Sequence, residues 1–309
     1  MPAADSSILL PSFLIVGAPK CGTTALSAAV AAHPDVLLST PKEPHFFDAN
    51  YAWGLTEYGR RCFRAPAGKL AAGEATPSYL AIPWVAERIG ECLPQARIVA
   101  ILRHPVERAF SSWWMFHARG MERLGFEEAI EENARREAEN PLADDERSRR
   151  DWARHVEALA RGDILRIRTY LDAGYYARHL RRYLDVFGRD QILVLFNEEL
   201  RDDGPATVRR VWRHIRVDAD APVAKVDAAN EAIGRQATGL LRLAQATGLM
   251  RLRHALPEAL RAGVKRRLSA PADRPSIDSA MRERLIEHFL PHVRELEQLL
   301  AVDLSAWKA

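Results

Sequence analysis

Two cationic segments and one acidic segment hold the residues of this chain best suited to handle an anion. The first, Gly17-Ala18-Pro19-Lys20-Cys21-Gly22-Thr23-Thr24, follows the apolar run Phe13-Leu14-Ile15-Val16 and opens an alanine-rich stretch from Ala25 to Ala32. A glycine loop between a strand and a helix is a phosphate cradle, because the first N–H groups of the helix have no internal partner and the helix dipole adds positive charge there. Lys20, Cys21, Gly22, Thr23, Thr24 and Ala25 are therefore the candidate anion-binding residues, with the N–H groups of 22 to 25 and the threonine hydroxyls holding oxygens. The Gly-x-x-x-x-Gly spacing is that of an ATP-binding P-loop, but that loop has lysine directly after the second glycine. Thr23 stands there, and the lysine comes three positions earlier. Such a loop holds phosphate without serving a magnesium-bound triphosphate in the usual way.

The second cationic segment is Leu102-Arg103-His104-Pro105, at the end of the apolar run Ala96 to Leu102. Arg103 falls at the carboxyl end of a strand, where open α/β sheets bind ligands. Pro105 suits the first turn of a helix that carries Ser111. An arginine fork and a hydroxyl eight residues on can clamp a phosphate. The plainer alternative is a surface arginine paired with Glu107 and an ordinary helical serine.

Between them lies Thr40-Pro41-Lys42-Glu43-Pro44-His45-Phe46-Phe47-Asp48. Its two prolines and lack of periodicity predict a loop, and its place after a second strand puts it on the same side of the sheet as the phosphate loop. It offers a carboxylate, an imidazole and a second carboxylate beside aromatics that exclude water. Lys42 is expected to face solvent or the bound anion. His45 either orients Glu43, touches a substrate, or is a structural histidine bonded to a loop carbonyl. Asp48 is either part of the site or a helix N-cap.

These segments need strands to aim them. Strands are predicted at 13–17, near 36–38, at 69–75, 96–102 and 191–196, as continuous apolar runs that suit burial on both faces. Helices are predicted at 23–32, 79–90, 105–118, 126–138, 151–160, 175–187, 204–215 and 277–300. Asn140 to Arg150 and Gly263 to Ser276 read as loops, and 48–70 and 119–150 as the variable borders of a cleft. The alternation predicts a P-loop-type α/β three-layer sandwich, a mostly parallel sheet of about five strands flanked by helices. The 309 residues, with no Gly/Ser or proline-rich divider, are read as one domain, 1–309.

Charge is nearly balanced at +3, and the arginines are scattered, which excludes a nucleic-acid-binding composition. Cys21, Cys62 and Cys92 are odd in number and widely spaced, so neither a disulfide framework nor a zinc site is expected, and a cytoplasmic setting fits. No apolar segment is long enough to span a bilayer.

The loop at 17–24 resembles the 5′-phosphosulfate loop of sulfotransferases that use 3′-phosphoadenosine 5′-phosphosulfate (PAPS). Ile-Leu-Arg-His-Pro-Val-Glu-Arg-Ala-Phe-Ser-Ser resembles the family's 3′-phosphate motif, which implies that Arg103 and Ser111 hold the 3′-phosphate. Glu-Pro-His-Phe-Phe-Asp resembles the segment of the heparan sulfate branch and its bacterial relatives whose glutamate is the general base. The resemblance makes Glu43 the base, Lys20 the donor to the leaving phosphate oxygen and His45 an auxiliary, with no catalytic metal. Gly73-Glu74-Ala75-Thr76-Pro77-Ser78-Tyr79 resembles a family segment with lysine where Ala75 stands, which speaks against a highly anionic glycosaminoglycan acceptor. Gly174-Tyr175-Tyr176-x-x-His179-Leu180 matches a packing helix, and Lys265 and Arg266 fall roughly where the family has a basic loop over the nucleotide. The implied function is sulfuryl transfer from PAPS to a hydroxyl or amine of a carbohydrate or small-molecule acceptor, releasing PAP. The alternatives are a P-loop kinase of a small metabolite and a non-catalytic PAP-binding protein. Tyr51, Trp53 and Tyr58 are candidate stacking platforms for the acceptor.

Overall fold

A computed structural model describes residues 9–64, 68–223, 235–237, 269–271 and 274–308. Lys265 and Arg266 lie outside the described residues. The elements begin with β1 (Phe13–Gly17), α1 (Thr23–Ala31), β2 (Val36–Leu38), α2 (Gly54–Cys62), β3 (Ala71–Glu74), α3 (Val85–Cys92), β4 (Arg97–Leu102) and α4 (Pro105–Ala118). They continue with α5 (Phe126–Glu139), α6 (Glu146–Arg161), α7 (Tyr176–Val186), β5 (Ile192–Phe196), α8 (Asn197–Asp202), α9 (Gly204–His214), β6 (Arg235–Ala237), β7 (Ser269–Pro271) and α10 (Ser279–Leu300).

The five main strands form one all-parallel sheet in the order β2-β3-β1-β4-β5. Phe13 to Val16 and Ile98 to Leu102 are wholly buried, as expected of central strands covered on both faces. The chain runs one way from β1 to β2 and the other way from there to β5. Right-handed crossovers then put α1 on one face and α3 to α7 on the other. Packing agrees: Trp212 of α9 donates its indole N–H to Val30 O of α1 at 3.3 Å. On the opposite face Arg282 of α10 pairs with Glu107 of α4. The expected three-layer, parallel architecture is thus the observed one. Its strand order reverses at β1, so the carboxyl end of β1 is a switch point, where a crevice opens for ligands. β6 and β7 form a separate antiparallel pair.

Local departures from the expected elements have physical causes. The helix expected over 79–90 is split into a 3₁₀ turn at Pro77–Leu80 and α3, because Pro83 cannot supply the N–H a continuous helix needs there. α6 starts at Glu146 rather than 151, since the Asp145 carboxylate accepts the Ser148 N–H at 2.7 Å and caps it. α2 lies in a segment expected to be loop, and β7 within another. Tyr58 is fully buried and stacks on Phe46 at 4.1 Å, so it is core and not an acceptor platform. Trp53 lies under Arg61 and Tyr51 under Arg88, both local cation–π contacts. No described helix is long and apolar enough to cross a membrane.

Candidate active site

The loop from β1 to α1 occupies the switch point. Gly22 is the residue before α1 and has φ 96°, a left-handed conformation that glycine adopts without steric cost. A Cβ there would also lie 2.7 Å from Asn197 Nδ2, which donates to Cys21 O at 3.0 Å and holds the loop against α8. The N–H groups that follow Gly22 are the orphan donors of the helix start. Thr23 is buried, yet its hydroxyl has no hydrogen-bond partner among the described residues. Cys21, expected to help hold the ligand, has its own contacts inside the loop. Its N–H is turned to Ala18 O at 3.3 Å, its thiol is buried beside the Tyr176 hydroxyl, and burial pushes the thiol up to about 11. It packs the loop from below.

Lys20 takes a left-handed backbone, φ 69°, uncommon for a non-glycine residue. Among the described residues its ammonium touches only the Met115 thioether, at 3.6 Å, and pairs with no carboxylate. Burial and then the neighbouring charges of Arg119, Arg274 and Arg103 push it down to about 8. Sequence reading missed Arg119 and Arg274. Neither falls in a recognisable spacing, and only the fold brings the end of α4 and the segment before α10 to the same place. Arg274 brings a further cation beside Lys20 and Arg103 from the segment before α10.

Arg103 emerges from β4 beside this cluster, and the Tyr176 hydroxyl donates to its carbonyl at 2.8 Å. Its guanidinium lies 3.6 Å from Glu107, so the plainer alternative is also realised, but Glu107 is shared with Arg282 at 2.5 Å. Ser111 is buried on α4 with no hydrogen-bond partner for its hydroxyl among the described residues. His104 caps α4: its Nδ1 accepts the Val106 N–H at 3.2 Å, and burial pushes it down to about 4.

The Glu43 loop is tied to β3 through Ser39 N–H to Gly73 O at 2.9 Å and Ala75 N–H to Lys42 O at 3.4 Å. Lys42 reaches the phosphate loop, donating to Thr24 Oγ1 at 3.2 Å, and also binds Glu43 Oε1 at 3.1 Å. One ammonium therefore bridges the expected base and the donor loop. His45, also left-handed at φ 52°, turns its Nδ1 to Asp48 at 3.0 Å and its Nε2 to Glu43 Oε2 at 3.9 Å. Asp48 is not a helix cap. It is buried and accepts from Ser78 and Trp152, both at 2.9 Å. Burial opposes charge on His45, but the Asp48 carboxylate prevails and holds the imidazole above its ordinary value. Burial likewise opposes charge on Asp48, and His45 with the two other donors holds it below its own. Under this loop Glu74 is wholly buried, accepts the Thr76 hydroxyl at 3.1 Å, and is pushed up to about 8 by burial.

These features define an α/β domain made to hold an anionic ligand at the switch point of its sheet, with a carboxylate–imidazole loop facing it. Residues 10–227 match the model of the sulfotransferase domain family, and the chain belongs to that family. The crystal structure of a sulfotransferase from Alicyclobacillus acidocaldarius superposes with a TM-score of 0.67 at 28% identity, covering 98% of this chain and 100% of that one. The heparan sulfate glucosamine 3-O-sulfotransferase 3A1 of Mus musculus is 28% identical over 207 residues, 67% of this chain and 46% of that protein. The bifunctional heparan sulfate N-deacetylase/N-sulfotransferase 3 of Homo sapiens is 30% identical over 212 residues, 64% of this chain and 21% of that protein. The chain thus spans less than half the length of these curated relatives.

Proposed function

We propose that this chain transfers a sulfuryl group from PAPS to a hydroxyl or amine of a carbohydrate or small-molecule acceptor and releases PAP. Lys20 carries the reading. A half-buried ammonium with no carboxylate partner among the described residues, pressed by three arginines, is a costly arrangement that a multiply charged anion would relieve. The family match and the names of the relatives support sulfate as the group moved and carbohydrate as the acceptor class. The three free cysteines support a reducing, cytoplasmic setting.

In the proposed reaction the acceptor oxygen attacks sulfur in line with the bond to the 5′-phosphate. The new S–O bond forms as the old one breaks, the acceptor proton passes to a Glu43 oxygen, and the electron pair stays on the phosphate oxygen. Lys20 and the N–H groups at the start of α1 meet the charge growing on that oxygen. As in phosphoryl transfer, positioning and electrostatics do most of the work. Lys42 has a further part. Bound to Glu43 Oε1, it occupies one of the two carboxylate oxygens available to take the proton. An incoming donor offers it new acceptors beside Thr24, which would free Glu43 only once the donor is in place. His45, held by Asp48, lies 3.9 Å from the other Glu43 oxygen. Arg103 and Ser111 would take the 3′-phosphate.

Thermal unfolding with PAP, and separately with ATP and magnesium, tests the reading. A specific ligand at about 100 times its dissociation constant adds roughly 2.7 kcal/mol. PAP is expected to stabilise and ATP with magnesium not to. The reverse result would make the chain a nucleotide kinase or related enzyme.

A further inference from the structure

On the donor reading above, we propose that Arg282 of α10 is a positioning residue. It draws the Glu107 carboxylate away from Arg103 and so sets the protein's preference for a nucleotide that carries a 3′-phosphate. Arg282 lies 175 residues beyond Glu107, far from the segments that announce anion binding in the sequence.

Glu107 stands where a phosphate would compete with it. It comes four residues before Ser111 on α4, hence on the same face, and its Oε2 is 3.6 Å from Arg103 Nη2. The carboxylate is thus a neighbour of both groups expected to take the 3′-phosphate. Fully paired with Arg103, it would fill the guanidinium fork and repel an incoming phosphate. Burial opposes charge on Glu107, but Arg282 and Arg103 prevail and hold its carboxyl below the ordinary value, so it is ionised at neutral pH. His104 beside it is pushed down to about 4, chiefly by burial, and brings no charge at that pH to answer it.

Arg282 answers it. Its Nη1 donates to Glu107 Oε1 at 2.5 Å, a charge-assisted hydrogen bond, whereas the 3.6 Å from Arg103 is an ion pair too long for one. Among the described residues no other carboxylate is in ion-pair range of Arg103 or of Arg282. Arg282 sits in the first turn of α10, where the helix dipole disfavours a cation and Asp278 already accepts the N–H groups of Ala280 and Met281. Helix formation therefore does not account for an arginine here, and the contact to Glu107 does. With the carboxylate turned to α10, the Arg103 fork keeps its donors for phosphate oxygens.

The test is calorimetric titration with PAP and with adenosine 5′-monophosphate. The wild type is compared with Arg282→Gln, Arg282→Lys, Glu107→Gln and the double variant Glu107→Gln/Arg282→Gln. Preference for PAP over the monophosphate is expected to fall about three- to tenfold in Arg282→Gln, a modest loss because both partners are partly exposed and screened. It should return to at least the wild-type value in the double variant, where no carboxylate is left to compete, and Arg282→Lys should keep most of it. Affinity for the monophosphate should stay the same throughout. An unchanged preference in Arg282→Gln overturns the proposal and leaves the donor reading intact. So does a double variant no better than Arg282→Gln, which would make Arg282 itself a phosphate ligand. Should Arg282→Gln fail to fold, Glu107→Gln decides: its preference for PAP should equal or exceed that of the wild type, and a clear fall would make Glu107 a support for Arg103, against the proposal. A wild type that binds both nucleotides equally would overturn the donor reading itself, and the role of Arg282 with it.

Discussion

The donor end and the Glu43 loop manage buried charge in opposite ways. Around Lys20 the structure gathers cations, and no carboxylate among the described residues pairs with its ammonium, so that charge is unfavourable until an anion meets it. Around Asp48 each charge has a partner: His45 for the carboxylate's charge, Ser78 and Trp152 for its remaining lone pairs. The first arrangement stores binding energy for a ligand. The second spends its interactions inside the protein and yields a fixed geometry. A binding site and a positioning site can thus be told apart by whether their charges are already answered.

Changes at the two places should diverge. Glu43→Gln keeps the shape but removes the proton acceptor, and transfer is expected to fall about 10²–10⁴-fold with PAP affinity near normal. Unchanged turnover with labelled PAPS would take Glu43 out of the mechanism. Asp48→Ala breaks a buried, satisfied pair, and chemical denaturation should show a loss of about 3–5 kcal/mol. Lys20→Met should behave the other way round. It removes a half-buried ammonium that has no carboxylate partner among the described residues, so the unliganded protein should melt no lower than wild type, while turnover falls about 10²–10³-fold. A clear loss of unliganded stability in Lys20→Met would erase the contrast.

Two smaller effects depend on pH. Lys20 is pushed down to about 8, whereas its charged form is the one that binds phosphate. PAP affinity should hold below that pH and weaken above it, and PAP binding at pH 8–9 should take up protons. Glu74, pushed up to about 8, binds its proton more tightly folded than unfolded. Stability should therefore decline as pH rises from about 4.5, the unperturbed carboxyl range, to 8. Glu74→Gln should flatten that decline, measured by denaturation at several pH values. A decline of the same slope in the variant would assign it to other groups.

Much of this was legible in the sequence because it was local. Apolar runs announced β1, β4 and β5, and the glycine loop and Arg103 followed directly from where those runs end. The Glu43 loop was readable as a cluster, but the role of Asp48 was not, since Trp152 reaches it from a helix 104 residues away. Arg119 and Arg274 were missed for the same reason: single arginines carry no spacing signal, and only tertiary packing makes them neighbours of Lys20. Tyr58 shows the converse error. Its chemistry suggested a platform for a sugar, whereas stacking on Phe46 placed it in the core.

The most direct measurement compares the affinities of PAP and adenosine 5′-monophosphate, which lacks the 3′-phosphate, in the wild type and in Arg103→Gln. The preference for PAP should be large in the wild type and nearly vanish in the variant, while affinity for the monophosphate changes little. Equal affinity for the two nucleotides in the wild type, or an intact preference in Arg103→Gln, would contradict a cationic cleft shaped for a doubly phosphorylated donor.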